Sequence, residues 1–387
     1  MEKPVIHQER LAKCFVDLVR IDSVSKEEAG LCRHLRAELD DLGVETLVDD
    51  AGVAVGGDSG NLIGRFKGTR PAEPLLLSAH MDTVEPGRGV VPVFREGVFF
   101  SNGETILGAD DKCGLAIIIE ALRAVRDKGL PCPPLELVFT ICEEIGLQGA
   151  KHLAYDRLTA RRGYVLDTRN PEVIIVRAPA ANRLTFTIEG VAAHAGAEPQ
   201  KGINAIALAA KAIAPLKLGR LDDETTCNIG LISGGVATNI VPAKVVVHGE
   251  VRSHDRTRLE DVTRRIVASF QQVVDDEAAL GRANGTPALH ADVQSDFEVL
   301  SVREDHTVVT MARKAAARLN RNIYTATSGG GSDANVFAQH GIVTGVLGTG
   351  CEKVHTVEER VALEDMVRAA QLLVEILRVY AENVAAG

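Results

Sequence analysis

No run of 18 apolar residues occurs in the 387-residue chain, so no membrane-spanning helix is expected. The opening segment MEKPVIHQER has no apolar stretch ahead of a small-residue cleavage site, and secretion is not expected either. Cysteines number seven, at 14, 32, 113, 132, 142, 227 and 351. They are too few and too scattered for a disulfide framework, and an odd count leaves a free thiol, so a reducing cytoplasm is the expected setting. Positive charge is short as well: 43 Lys and Arg against 53 Asp and Glu give a net charge of -10. Such a surface repels polyanions and argues against nucleic acid as a partner. Aromatic residues make up 4% of the chain, and there is no HExxH, no P-loop and no GxGxxG between a strand and a helix.

What is present is the profile of a soluble globular enzyme, 45% hydrophobic and 25% charged, which excludes disorder, collagen and a coiled coil. At about 150 residues per domain, two domains are expected. The first half alternates helical spacing (9 to 20, 27 to 42) with short apolar runs at 44 to 48, 61 to 66, 75 to 79, 135 to 141 and 163 to 166. Between them GADDKCG opens a helix with Leu115, Ile118, Ile119, Leu122 and Val125 on one face. That pattern predicts an α/β fold with a mostly parallel sheet flanked by helices. From about residue 178 alternating strands (183 to 190, 243 to 253) pair with long helical stretches (203 to 214, 256 to 282), and after about 295 the α/β pattern resumes. The chain therefore reads as a discontinuous host domain, 1–177 and 296–387, interrupted by an α+β sandwich at 178–295.

Acids and histidines gather where the strand pattern stops. His80 and Asp82 follow LLLSA, Asp110 and Asp111 open a helix, Glu143 and Glu144 follow LELVFTIC, Asp167 ends GYVLD, and His355 follows a glycine-rich turn. Each alone resembles a helix cap or a solvated turn. In an open α/β sheet, however, the carboxyl ends of the strands share one edge, where sequence-distant residues converge. Residues two apart at a strand end face the same way, so Asp82 is expected to accept a hydrogen bond from His80 while His80 binds a metal. If Asp110, Glu144 and Asp167 are all ligands, three negative charges meet, and burying them unpaired costs several kcal/mol each. Two divalent ions and a bridging hydroxide would balance them, in an open catalytic site. In SGGGSDAN, 328 to 335, backbone N–H groups of Gly330 and Gly331 are candidates to approach a substrate.

The strings LLLSAHMDTV, GADDKCG, FTICEEIGLQGA, VLDT, EGVAAHAGAEPQKGINAI, GEVRS, GGGSDAN and GCEKVHTVEE resemble the peptidase T-like branch of the dinuclear zinc peptidases. That family also holds glutamate carboxypeptidases, aminoacylases and acetylornithine and succinyl-diaminopimelate deacylases. The resemblance implies that Asp110 bridges two divalent ions, one also held by His80 and Asp167, the other by Glu144 and His355. It makes Glu143 the general base, Asp82 the residue that orients His80, and His194 the donor to the oxyanion. Asn239 and Arg252 match positions that bind the substrate's backbone and carboxylate, and the Asp110–Asp111 peptide is expected to be cis. Zinc is the expected metal, with cobalt or manganese also suited to such ligands. The implied function is hydrolysis of amide bonds in short peptides, most like a tripeptide aminopeptidase, by a homodimer formed through the inserted domain. Carboxypeptidase or N-acyl amino acid deacylase chemistry would use the same centre. A metal- or peptide-binding protein without activity is a remoter reading, since it has no need of Glu143.

Overall fold

The computed structural model describes residues 5–281, 283 and 285–384. The chain divides into two compact units. One takes the chain up to Arg177, Leu300–Ser328 and the chain from Ser332 on, and the other takes Ala178–Val299 with Gly329–Gly331.

The first unit is built on a nine-stranded sheet. Its centre is the parallel set Leu135–Thr140, Leu75–His80, Arg162–Thr168 and Val343–Gly348, in that spatial order. The first two of these strands are buried at every position, as expected of apolar runs covered on both faces. Antiparallel neighbours extend the sheet on either side, Leu62–Phe66 beside Leu135–Thr140 and Val173–Ala178 beside Val343–Gly348. The fold is α/β as the alternation predicts, with a sheet that is parallel at its centre and mixed as a whole.

The helix Ala109–Lys128 buries Leu115, Ile118, Ile119, Leu122 and Val125, and also Ala116, Ile117, Ala121 and Ala124. It is apolar nearly all round because it packs on the sheet strands and also on the helices Gln8–Val19 and Leu363–Val384. A four-stranded antiparallel sheet, Cys351–Glu352, Arg360–Ala362, Val98–Phe100 and Val93–Arg95, leaves no trace in the sequence pattern. Strands of two or three residues are too short to show an alternation.

The second unit is a five-stranded antiparallel sheet in the order Gly219–Arg220, Thr225–Gly234, Lys244–Ser253, Ala180–Glu189 and Ala288–Phe297. Helices Ala205–Ile213 and Arg256–Leu280 pack on it. Leu184, Phe186 and Ile188 alternate into the core, where Phe186 stacks on Phe270 at 4.0 Å. Each such side chain contributes about 1.5–3 kcal/mol on burial. Leu231, Ile232 and Val236 stay exposed, at 67%, 53% and 86%. All seven cysteines are free and buried. Among the described residues no helix is long and apolar enough to cross a membrane.

Candidate metal centre

Strand pairing delivers the functional side chains to one edge. His80 is the last residue of its strand and lies in register with Thr140, the last residue of the next. The chain beyond Thr140 carries Glu143 and Glu144 over the same edge, and Asp167 comes from the parallel strand on the other side of Leu75–His80. Asp110 stands at the start of the helix Ala109–Lys128, and the Asp110–Asp111 peptide is cis.

Asp110 turns its two carboxylate oxygens toward two different imidazoles. Oδ1 lies 3.4 Å from His80 Nε2, and Oδ2 lies 3.5 Å from His355 Nε2. His355 Nε2 is also 2.9 Å from Glu144 Oε1. His80, Asp110 and Glu144 each offer a ligand atom within 4.8 Å of the others. The structure thus brings His80, Asp110, Glu144 and His355 together. Asp167 joins them electrostatically, its carboxyl pushed well up by burial and by the charge of Asp110.

Asp82 holds His80 differently from what the spacing predicts. The imidazole Nδ1 lies 2.9 Å from the main-chain carbonyl of Asp82, while the carboxylate Oδ1 stands off at 3.5 Å. The carboxylate is engaged elsewhere: Oδ1 accepts the N–H of Glu143 at 2.8 Å, and Oδ2 accepts the N–H of Glu144 at 3.2 Å and the hydroxyl of Ser25 at 2.6 Å. A carbonyl only accepts, so Nδ1 carries a proton, and Nε2 is the ring nitrogen that faces Asp110.

The charges are unbalanced as they stand. Burial, with the charges of Asp167 and Asp110 added, pushes the carboxyl of Asp111 well up, and burial does the same to Glu143, next to Asp167, Asp333 and Glu144. Glu144 is raised by burial despite its bond to His355. Asp110 is held below the usual carboxylate range, because hydrogen bonds to His355 and His80 outweigh its burial. Burial works against a charged His80, yet Asp110 and Asp82 draw its pKa well up, and hydrogen bonds to Asp110 and Glu144 lift His355 to about 10.

The remaining candidates belong to the second unit. The N–H of Ala195 donates to the carbonyl of Asn239 at 2.9 Å, and His194 pairs with Ile240 in an isolated bridge, so His194 and Asn239 are neighbours. His194 Nδ1 accepts the N–H groups of Gly196 and Ala197 at 3.1 and 3.0 Å. Arg252 pairs with Glu250 at 3.0 Å and keeps its buried Nε without a partner among the described residues. A Cβ on Gly330 would sit 3.6 Å from Arg252 Nη1, and one on Gly331 would meet the ring of Phe297 at 2.4 Å, so only glycine fits the latter position.

The model of peptidase family M20/M25/M40 matches residues 76–379. The chain belongs to this family. The M20 chain is similar over its whole length to an aminopeptidase PepT of Bacillus cereus, at 39% identity and a TM-score of 0.86, with 98% of this chain and 100% of that one covered. A tripeptidase of Staphylococcus aureus is 34% identical at a TM-score of 0.89, over 98% and 100% of the two chains. The uncharacterized protein YqjE of Bacillus subtilis is 41% identical over 374 residues, 96% of this chain and 99% of that protein. As an M20 peptidase the chain is a hydrolase of peptide bonds.

Around the M20 site lie acidic residues to which the motifs give no role. Glu28 is fully buried and accepts the N–H of Cys142 at 3.0 Å, just ahead of the two glutamates. Glu359 accepts three amides of the turn that carries Asp110, and Asp333 takes the hydroxyl of Thr140 at 2.5 Å. Glu28 sits in a polar KEE run and Glu359 in VEER, and both sequences read as solvated charge.

Proposed function

We propose that this M20 peptidase is a two-metal aminopeptidase of the cytoplasm that removes the N-terminal residue from short peptides, tripeptides above all. The observation that carries the two-metal reading is the opposed placement of the Asp110 oxygens, one toward His80 and one toward His355. The donor set fits: two imidazole nitrogens and the carboxylate oxygens of Asp110 and Glu144 face one another within ligand reach. His80, Asp110 and Asp167 would hold one ion, and Asp110, Glu144 and His355 the other. Imidazole with carboxylate suits zinc, and also cobalt or manganese. Similarity at 39% and 34% identity to an aminopeptidase PepT and a tripeptidase supports the substrate class. Seven free thiols suit a reducing compartment.

Divalent ions held by these residues would supply Lewis acidity toward the scissile carbonyl and toward the attacking water. Glu143 takes the proton of that water and returns it to the departing amine. Burial holds its carboxyl above the usual range. Asp82 fixes the main chain at Glu143, so that the base is placed from its own amide. Since His194 Nδ1 accepts two amides, its proton sits on Nε2, free to be donated to the oxyanion. Arg252 and Asn239, with the backbone at Gly330 and Gly331, are assigned to the substrate's carboxylate and main chain.

The test is a digest of tripeptides, dipeptides, N-acetyl amino acids and N-succinyl amino acids by metal-reconstituted protein, read by mass spectrometry. Release of the free N-terminal residue from tripeptides is expected. Release only of C-terminal residues or of acyl groups would assign the centre to carboxypeptidase or deacylase chemistry instead.

A further inference from the structure

We propose that Glu359 is a positioning residue of the metal centre, a carboxylate that fixes the Leu107–Asp110 turn and thereby aims the two oxygens of Asp110. Its Oε2 accepts the N–H groups of Leu107 at 2.9 Å and Gly108 at 2.7 Å, and its Oε1 accepts the N–H of Asp110 at 2.9 Å. The residue is 1% exposed.

The sequence leaves this turn in need of an acceptor. Leu107 and Gly108 precede the helix and Asp110 departs from helical geometry at φ -82° and ψ 104°, so no helical turn supplies partners for this stretch. Gly108, the residue that opens the helix Ala109–Lys128, has no side chain to offer, and no side chain caps the helix locally. Glu359 serves from 249 residues away. The small antiparallel sheet brings it there, because Arg360 pairs in register with Phe100. Glu359 therefore lies over the loop that leads from Phe100 to Gly108.

The link to the metal centre is that one of the three amides is Asp110's own. Asp110 must present Oδ1 to His80 and Oδ2 to His355 at once, and catalytic constellations tolerate only about 0.5 Å of displacement. A carboxylate that bonds the ligand's amide and the two before it leaves the main chain no such freedom. Glutamine would not replace it. It has one accepting oxygen, and its amide N–H groups would confront backbone donors.

The structure supplies its own control. Glu136, 4% exposed, accepts the N–H of Thr159 and Ala160 and the hydroxyl of Thr159. It is thus a second buried carboxylate clamped on backbone amides. It lies four positions before Thr140 along the strand, on the order of 13 Å from the edge that carries the ligands.

The experiment measures metal affinity by competition with a chromophoric zinc chelator for the parent, Glu359→Gln, Glu136→Gln and Asp110→Ala, each checked for fold by circular dichroism. Glu359→Gln is expected to bind zinc about 10–100-fold more weakly, with kcat reduced and KM for a tripeptide held within a factor of about three. Glu136→Gln is expected to lower the melting temperature without weakening zinc binding. If Glu359→Gln does not fold, Glu359→Asp carries the same test, since it keeps the charge but withdraws the oxygens by one methylene. Parent-like zinc affinity in the folded variant overturns the proposal, as does an equal loss in Glu136→Gln. Because the proposal rests on Asp110 as a ligand, Asp110→Ala separates the two failures: if it too retains zinc, the ligand assignment is wrong; if it alone loses zinc, only the role of Glu359 is.

Discussion

The carboxylate of Asp82 accepts the backbone N–H of Glu143 at 2.8 Å, while the main-chain carbonyl of the same residue lies 2.9 Å from Nδ1 of His80. One residue thus holds a proposed ligand through its backbone and the proposed base through its side chain. The two functions can be separated by mutation.

Asp82→Ala removes the acceptor of the Glu143 and Glu144 amides but leaves the carbonyl that sets the tautomer of His80. Turnover is expected to fall by about 10–100-fold, with zinc retained better than in Asp110→Ala. Zinc titration beside steady-state kinetics checks this. A loss of zinc as complete as that of Asp110→Ala would show that the carboxylate serves the ligands and not the base.

Glu143→Gln keeps the volume and every ligand but cannot move a proton. It is expected to bind metal as the parent does and to lose on the order of 100-fold or more in kcat. Elemental analysis of the purified variant decides the matter, because depleted metal would make Glu143 a ligand.

Chelation is expected to abolish activity and lower the melting temperature, by an amount that grows with pH. In the metal-free protein, burial raises Asp333 to about 6 and Glu359 to about 7, above the values these acids have in an unfolded chain. The folded state then holds more protons than the unfolded one, so these groups stabilise less as pH rises from about 4 to about 7. His355, raised to about 10 by Asp110 and Glu144, contributes fully below about 6.5 and loses its contribution as pH climbs toward 10. A metal ion held by His355 displaces the proton of that ring, so metal binding strengthens with pH. The gap in melting temperature between loaded and metal-free protein, measured by calorimetry at about pH 5, 7 and 9, is expected to widen at each step. A gap that is constant or shrinking would contradict the charge balance described for the site.

His194 belongs to a different unit from His80, Asp110, Glu144 and His355, and the exposed Leu231, Ile232 and Val236 give that unit an apolar surface suited to a second copy. If a homodimer forms there and His194 serves the partner's site, mixing inactive Glu143→Ala with inactive His194→Ala under subunit exchange restores activity. Random pairing makes about half the dimers mixed with one intact site each, giving roughly a quarter of parent activity. No recovery, with exchange verified by native mass spectrometry, would place His194 in its own chain's site.

The sequence determined where the chemistry could be. Apolar runs such as LLLSA and LELVFTI must be buried strands, and the polar residues at their ends, His80, Glu143 and Glu144, have only the sheet edge to occupy. That placement follows from local pattern and strand direction, so the edge was legible in the sequence, while the ligand set rested on the resemblance of the motifs to the family. The acceptors behind the ligands were not legible. Whether Glu28 or Glu359 is a solvated charge or a buried clamp depends on which backbone amides the folded chain leaves unsatisfied beside it: Glu28 takes the N–H of Cys142, 114 residues away, besides that of Lys26, and the amides on Glu359 lie 249 or more residues away. The same holds for Asp82: spacing places it near His80, but only the packed turn at Cys142–Glu144, with N–H groups of its own to satisfy, decides that the carbonyl takes the imidazole and the carboxylate takes the base.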